Sequence, residues 1–370
     1  MKEKICIFDL FNEGHHWFYN YNLIKGIEEY EITYITSNLT EEQKCELQKN
    51  NIIVKEFRVA SKKFQQIGII KELFDCILYC KKNNIHKIIN VYFDRYILAY
   101  SILKLIIKKY RIEFKNTLHW FPNNKIKIFL LKLSKPEGEI IVHTSNVKNK
   151  LNNIGISNVK VINYPVKEKC KLSKEICQKD IGIDSDRVNI LYFGGTRYDK
   201  GVDILLNSLV NIKSLEKLRI IIAGREETFG KEFIMNKLSK LHNLDYRIEL
   251  KYISEERMNK YFISSDFIVL PYRNIFNGES GIITESLNNG IPVIAPDIIH
   301  FKEKVGNAGV LYKCEDTYEL AKAIEYSINN IEKLTSISQK KSDIFRKNNS
   351  IENFQNEYKK MLVNKKRGNL

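Results

Sequence analysis

The sequence predicts an α/β chain built from two Rossmann-like domains, each a parallel sheet covered by helices on both faces. Three observations carry this. At 370 residues the chain is too long for one ordinary core. Short apolar runs alternate with longer helical patterns through both halves, as strand–helix units of parallel sheets require. Hydrophobic residues make up 44% and aromatics 11%, which excludes a disordered chain.

In the first half, strands are predicted near residues 5–9, 32–36, 52–57, 88–92, 117–120 and 139–143, with helices such as 17–29 and 65–83 between them. Residues 96–111 are so apolar that they read as a buried helix covering the first sheet, with Lys104, Lys108 and Arg111 along one edge. Residues 125–135 continue the apolar and basic pattern, with Lys125 and Lys127 at their start. Val159 to Val166 reads as the last strand of this sheet, running into a charged linker at 167–186 that ends in a short helix. Second-half strands are predicted near 188–193, 218–223, 247–252, 267–270, 292–295 and 309–311, and a final helix at 351–363. The implied domains are residues 1–168 and 169–345, with a helical segment at 346–370.

Lys2 and Lys4 lead straight into Ile5-Cys-Ile-Phe-Asp9, a first buried strand and not a signal peptide. Seven cysteines at irregular spacing fit neither a disulfide framework nor a zinc pattern, and Cys76 and Cys80, one helical turn apart, read as buried thiols. The chain therefore reads as cytoplasmic. Its net charge of +16 is uneven: residues 1–169 hold 28 Lys and Arg against 17 Asp and Glu, or +11. A basic half suits an anionic substrate or an anionic membrane surface. Lys dominates over Arg and aromatic-basic motifs are missing, so nucleic acid is not an expected partner.

Four constellations carry chemistry. Asn277-Gly-Glu279-Ser280-Gly281 opens a helix after a short strand that stops at Pro271, and Glu285 lies one turn inside. Small residues at a helix start present N–H groups and the positive dipole end to phosphate. A carboxylate one turn on can hold neighbouring hydroxyls, and diphosphate plus hydroxyls describes a nucleotide-sugar. Phe193-Gly194-Gly195-Thr-Arg197-Tyr-Asp-Lys200-Gly201 is a strand end and glycine turn with two cations, placed to neutralise a departing diphosphate without a metal. Gly224-Arg225 ends the next strand, where ligands of open parallel sheets bind; Arg225 reads equally as a phosphate contact or a solvated loop residue. In the first half, Gly14-His15-His16 and His119 follow strands, and Asp94 ends another, as an acceptor contact or a helix cap.

The ordered series Gly-Gly…Lys-Gly, Ala-Gly, Val-Leu-Pro, Ser-Gly…Glu and Gly-x-Pro-Val-Ile-Ala resembles the donor half of the retaining glycosyltransferases of family 4. The resemblance implies the GT-B fold: two Rossmann-like domains facing across a cleft, with the C-terminal helix crossing back to the first. It also implies retention of configuration, a nucleoside-diphosphate sugar as donor, no metal and no other cofactor. Glu285 then binds the ribose, the Ser280 and Gly281 amides the phosphates, and His119 faces the reacting sugar. Gly14, His15 and His16 fall in the family's donor-facing loop. The family's Glu-x7-Glu pattern places its first Glu at Asn277, with Glu279 two residues on, and Arg197 stands two places later than the family's arginine, whose column holds Gly195. The expected activity is hexosyl transfer to a glycan or lipid-linked acceptor in cell-surface polysaccharide synthesis, at the inner face of the plasma membrane. Two alternatives stand beside it, a non-catalytic glycosyltransferase-like partner subunit and a nucleotide-sugar epimerase of GT-B shape. A dinucleotide-dependent oxidoreductase is not supported, because no Gly-x-Gly-x-x-Gly follows either first strand.

Overall fold

The computed structural model describes residues 2–12, 15–59, 65–276 and 280–363, with backbone alone at 15, 299 and 300. Two compact units result: one holds the described residues up to Lys167 and from Asn348 on, the other Glu168–Lys347.

The first unit carries a seven-stranded sheet, from β1 (Lys4–Phe8), β2 (Glu31–Thr36), β3 (Ile53–Glu56), β4 (Lys87–Asn90), β5 (Glu113–Leu118), β6 (Ile140–Val142) and β7 (Val159–Val161). Its helices are α1 (His15–Gly26), α2 (Glu41–Lys49), α3 (Gln65–Lys82), α4 (Phe93–Lys109), α5 (Lys125–Ser134) and α6 (Ser145–Asn153). Every pairing is parallel, in the order β3-β2-β1-β4-β5-β6-β7.

The second unit begins with α7 (Lys174–Ile181) and carries β8 (Val188–Phe193), β9 (Leu218–Gly224), β10 (Asp245–Leu250), β11 (Phe267–Val269), β12 (Val293–Pro296) and β13 (Gly309–Tyr312). Around them lie α8 (Val202–Ser208), α9 (Lys231–Leu238), α10 (Glu255–Ser264), α11 (Gly281–Asn289), α12 (Ile299–Val305), α13 (Thr317–Asn329) and α14 (Ile331–Asn348). The six strands are again parallel, in the order β10-β9-β8-β11-β12-β13.

The period of two along a strand divides each core into two layers. Cys6 and Phe8 of β1 join one cluster with residues of α3 and α4, while Ile5 and Ile7 join another with Leu23 of α1. In the second unit Ile190 and Tyr192 part from Leu191 and Phe193 in the same way.

The last helix, α15 (Ile351–Val363), belongs to the first unit. It buries Phe354, Tyr358, Met361 and Leu362 in the layer that holds α1. Gly26 makes this approach possible, since a β-carbon there would lie 2.8 Å from Gln355 Cγ. The Tyr358 hydroxyl bonds Tyr19 at 2.7 Å and Thr117 at 3.2 Å.

Several predicted boundaries shift. The strand predicted at 117–120 is β5, and it starts four residues earlier. Its polar residues disguise it: Lys115 is 3% exposed and paired with Glu113 and Glu139, and buried Asn116 accepts from Asn90 at 3.1 Å. Trp120 lies beyond the strand and is exposed. Helix α4 begins at Phe93, so Asp94 sits inside its first turn instead of before it. Strand β10 begins at Asp245, where 247 was expected, and α1 ends at Gly26, short of 29.

Candidate functional site

In each sheet the strand order reverses once, between β1 and β4 and between β8 and β11. The carboxyl ends at such a reversal leave a crevice for ligands. Those predicted site residues that are described lie on elements around these reversals, and each unit is taken by itself.

In the second unit β8 is followed by Gly194, whose amide donates to the Ala223 carbonyl of β9 at 2.8 Å. The two strand ends touch through glycine. Gly194 and Gly224 have φ of 124° and 144°, and a β-carbon on Gly224 would lie 2.1 Å from the Gly194 carbonyl oxygen. Lys200 Nζ reaches back over this turn, 2.8 Å from where a β-carbon of Gly194 would stand and 5.4 Å from the centre of the Tyr272 ring. Lys200 is half-buried and forms no ion pair among the described residues. Burial, then neighbouring Arg197, holds its ammonium below the usual lysine pKa. The following Gly201, at φ 63°, admits the Pro271 carbonyl, which would stand 2.0 Å from a β-carbon.

Arg197 is placed differently from the free cation that the sequence suggested. Its guanidinium makes a fork-on-fork pair with Asp199, Nε to Oδ1 at 2.9 Å and Nη2 to Oδ2 at 2.8 Å. Gly195 faces an acid, since a β-carbon there would meet Glu227 Oε1 at 2.0 Å. Arg225 is exposed and lies over the Tyr252 ring at 5.4 Å, while its carbonyl accepts the Thr196 amide at 3.0 Å. Ser280 is the residue before α11, and space is open where a β-carbon of Gly281 would project. Glu285 lies one turn into that helix, partly buried. Asn277 and Glu279 lie outside the described residues. The hydroxyls of Ser280 and Tyr272 are buried and make no hydrogen bond among the described residues.

Sequence reasoning passed over the group that sets this loop. Arg273 is 7% exposed and clamps Asp203 with bonds of 3.1 and 2.6 Å, while also donating to the Tyr198 carbonyl. Its own amide donates to the Asp199 carbonyl at 2.9 Å. Residues 198–203 are thereby tied to the segment after β11, which fixes Lys200 from both sides. A buried arginine two residues after the Val-Leu-Pro strand was the available signal.

In the first unit, Asp9 follows β1 fully buried. It accepts from His16 Nδ1 at 2.8 Å, Asn20 Nδ2 at 2.9 Å and the Phe11 amide at 3.0 Å. His16, at the start of α1, is thus oriented by a buried carboxylate. Gly14 and the His15 side chain lie outside the described residues. Rings continue from His16 to Tyr92 at 4.8 Å and from Tyr92 to His119 at 5.6 Å.

His119 joins a second histidine that the sequence did not single out. His119 Nε2 lies 2.9 Å from the Val91 carbonyl and His143 Nδ1 lies 2.8 Å from the Ile162 carbonyl. Carbonyls only accept, so both of these nitrogens donate. The remaining nitrogens, His119 Nδ1 and His143 Nε2, lie 3.1 Å apart, and a hydrogen bond there needs one further proton. Burial, then the charge of His143, holds His119 well below the ordinary histidine pKa. Both oxygens of Asp94 accept peptide N–H groups, from His119 and Trp120, instead of standing free for an acceptor. Burial pushes its carboxyl up to about 6.

Among the described residues, the one grouping of metal-ligating side chains is Cys6, Cys76 and Cys80, whose sulfurs lie within 4.8 Å of one another. All are fully buried in apolar core, and burial pushes the Cys6 and Cys76 thiols up. They serve as packing.

Residues 187–330 match the family model described as glycosyl transferases group 1. A Klebsiella pneumoniae protein described as an uncharacterized 41.2 kDa protein in cps region is 22% identical over 355 residues, 88% of this chain and 95% of that one. Among solved structures, a glycosyltransferase from Rickettsia africae aligns with a TM-score of 0.74 at 18% identity, covering 98% of this chain and 99% of its own. Anabaena Alr3699/HepE, solved in complex with UDP, aligns with a TM-score of 0.74 at 14% identity, covering 98% and 100%. The chain therefore has the GT-B fold, and the match to the glycosyl transferases group 1 model lies within its second unit.

Proposed function

We propose that this chain is a glycosyltransferase that moves a hexose-class sugar from a nucleoside-diphosphate sugar to a hydroxyl of a glycan or lipid-linked acceptor. The observation that carries the reading is the Lys200 ammonium, partly desolvated and unpaired among the described residues, over the Gly194–Gly224 turn. A cation held this way is preorganised for an anion, and a glycine turn lets a diphosphate approach the backbone.

In the reaction, Lys200 and the N–H groups at the start of α11, at Ser280 and Gly281, take up charge as the diphosphate departs. Arg197 adds to them when it exchanges Asp199 for phosphate. Glu285 holds the ribose hydroxyls, Asn277 and Glu279 those of the donor sugar, and Gly224 and Arg225 border the site. The acceptor is taken by the first unit, where His119 faces the reacting sugar, Gly14, His15 and His16 serve the donor, and Asp94 is a positioning residue for the His119 backbone. The hydroxyl attacks from the face that the diphosphate leaves, so configuration is retained, and the protein cations replace a metal. The UDP complexes of Anabaena Alr3699/HepE make UDP the first donor class to test. The Klebsiella relative's place in a cps region supports a role in cell-surface polysaccharide synthesis, and we set that role at the inner face of the membrane.

Arg197 favours a second reading. With its charge neutralised by Asp199, the chain can instead be a non-catalytic partner that keeps a donor-binding domain. One experiment covers both: melting of the purified chain with UDP and other nucleoside diphosphates, then sugar release and transfer with and without a chelator. Binding with transfer in the chelator supports the enzyme, and binding without turnover supports the partner subunit. No melting shift with any nucleoside diphosphate would sink both.

A further inference from the structure

Helix α5 carries apolar side chains on its outer face as well as its inner one, and lies on the surface of its unit. Leu131 and Ser134 face the core. On the opposite face Ile126, Phe129 and Leu133, spaced i, i+3 and i+7, are 68%, 61% and 67% exposed. Next to it, α4 exposes Ile102 at 55% and Leu105 at 79%, although the apolar positions of that helix read from sequence as core. Isolated surface leucines are ordinary, but three large apolar side chains along one helix face, beside a second helix that exposes two more, call for a cover.

The charges around the stripe say which cover. Lys125 and Lys132 flank it on α5, and Lys104, Lys108 and Lys109 lie on α4. None of these forms an ion pair among the described residues, and residues 95–111 and 118–136 contain no Asp or Glu. Lys127 is the exception to the expected basic edge, because its ammonium turns inward to the Asp94 carbonyl at 2.9 Å. A second copy docked through the same face would bring two acid-free lysine surfaces together. Apolar side chains between unpaired lysines match the boundary of an anionic bilayer, where rings and branched chains enter the acyl layer and ammonium groups meet phosphate. No described helix is long and apolar enough to cross a membrane, so the attachment is peripheral.

We infer that the outer faces of α4 and α5 form a membrane-docking surface that inserts Ile126, Phe129 and Leu133 into a leaflet rich in anionic phospholipid. This does not rest on the glycosyl-transfer reading. It differs from a purely electrostatic contact in one measurable respect: part of the binding survives salt.

The test is co-sedimentation of the full chain with vesicles of phosphatidylglycerol and phosphatidylcholine, or phosphatidylcholine alone, across a salt series. Wild type is expected to bind the anionic vesicles, with salt weakening the binding to a residual level. The triple change Ile126→Ser, Phe129→Ser and Leu133→Ser should lower partitioning about tenfold or more and abolish that residue. Lys125→Gln with Lys132→Gln should cost about fivefold per lysine at low salt and leave the salt-resistant part. All five positions are exposed, so unchanged melting temperatures certify the folds. Absence of wild-type binding, or wild-type binding by the serine variant, overturns the inference. So does a dimer that the serine variant splits, which would assign the stripe to a subunit interface.

Discussion

The Asp94 carboxylate grips the chain at His119, just beyond the end of β5. Its Oδ2 accepts the His119 amide at 2.9 Å and its Oδ1 the Trp120 amide at 2.9 Å. Asp94 lies in the first turn of α4, so one side chain joins a helix start to the loop that carries His119. Asp94→Ala removes an ionic acceptor from two N–H groups and is expected to cost about 2–4 kcal/mol. Asp94→Asn keeps one acceptor oxygen and should cost less. Urea unfolding of the three proteins measures this, and equal midpoints would show the clasp to be incidental.

His119 and Asp94 give opposite pH signatures. The folded His119 pKa lies below the ordinary 6.5, so the unfolded chain binds more protons below that pH. The stability share of His119 is present above pH 6.5 and is lost as pH falls through its folded pKa. Asp94, raised from 3.8 to about 6, makes the folded state bind the extra proton between those values. Its share therefore grows as pH falls through that window. Subtracting the melting curve of His119→Gln from wild type, and likewise that of Asp94→Asn, should give slopes of opposite sign. Equal signs would contradict the assignment.

Lys200→Ala is expected to lower kcat about 100-fold or more while changing KM less, because charge on the diphosphate rises as the glycosidic bond breaks. The folded loop should persist, since the clamp of Arg273 on Asp203 and Tyr198 does not involve the lysine. Steady-state kinetics decides. Near wild-type turnover would reduce Lys200 to a structural cation over Tyr272.

Glu285→Ala should weaken nucleoside-diphosphate binding by about 1–3 kcal/mol through lost ribose hydrogen bonds. The fold should be little affected, because the helix keeps its buried side through Ile283, Ser286 and Leu287. Unchanged affinity by calorimetry would remove Glu285 from the nucleotide site.

The sequence by itself determined the two parallel sheets, most of their strands and the glycine turns at the donor site. These follow from local causes: apolar runs of strand length, caps and turn residues, and glycines where backbone must approach backbone, as at Gly194 and Gly224. What depends on partners distant in the chain was decided only by the tertiary structure. The first four residues of strand β5 stayed hidden because Lys115 and Asn116 find partners elsewhere in the sheet. The pairing of His119 with His143 and the Arg273 clamp join separate strand–helix units, and no periodicity reports such meetings. The exposed stripe of α5 was equally unreadable. The apolar residues of the helix fall on more than one side, so the pattern does not say which of them face the core, and only packing within the first unit left Ile126, Phe129 and Leu133 outside.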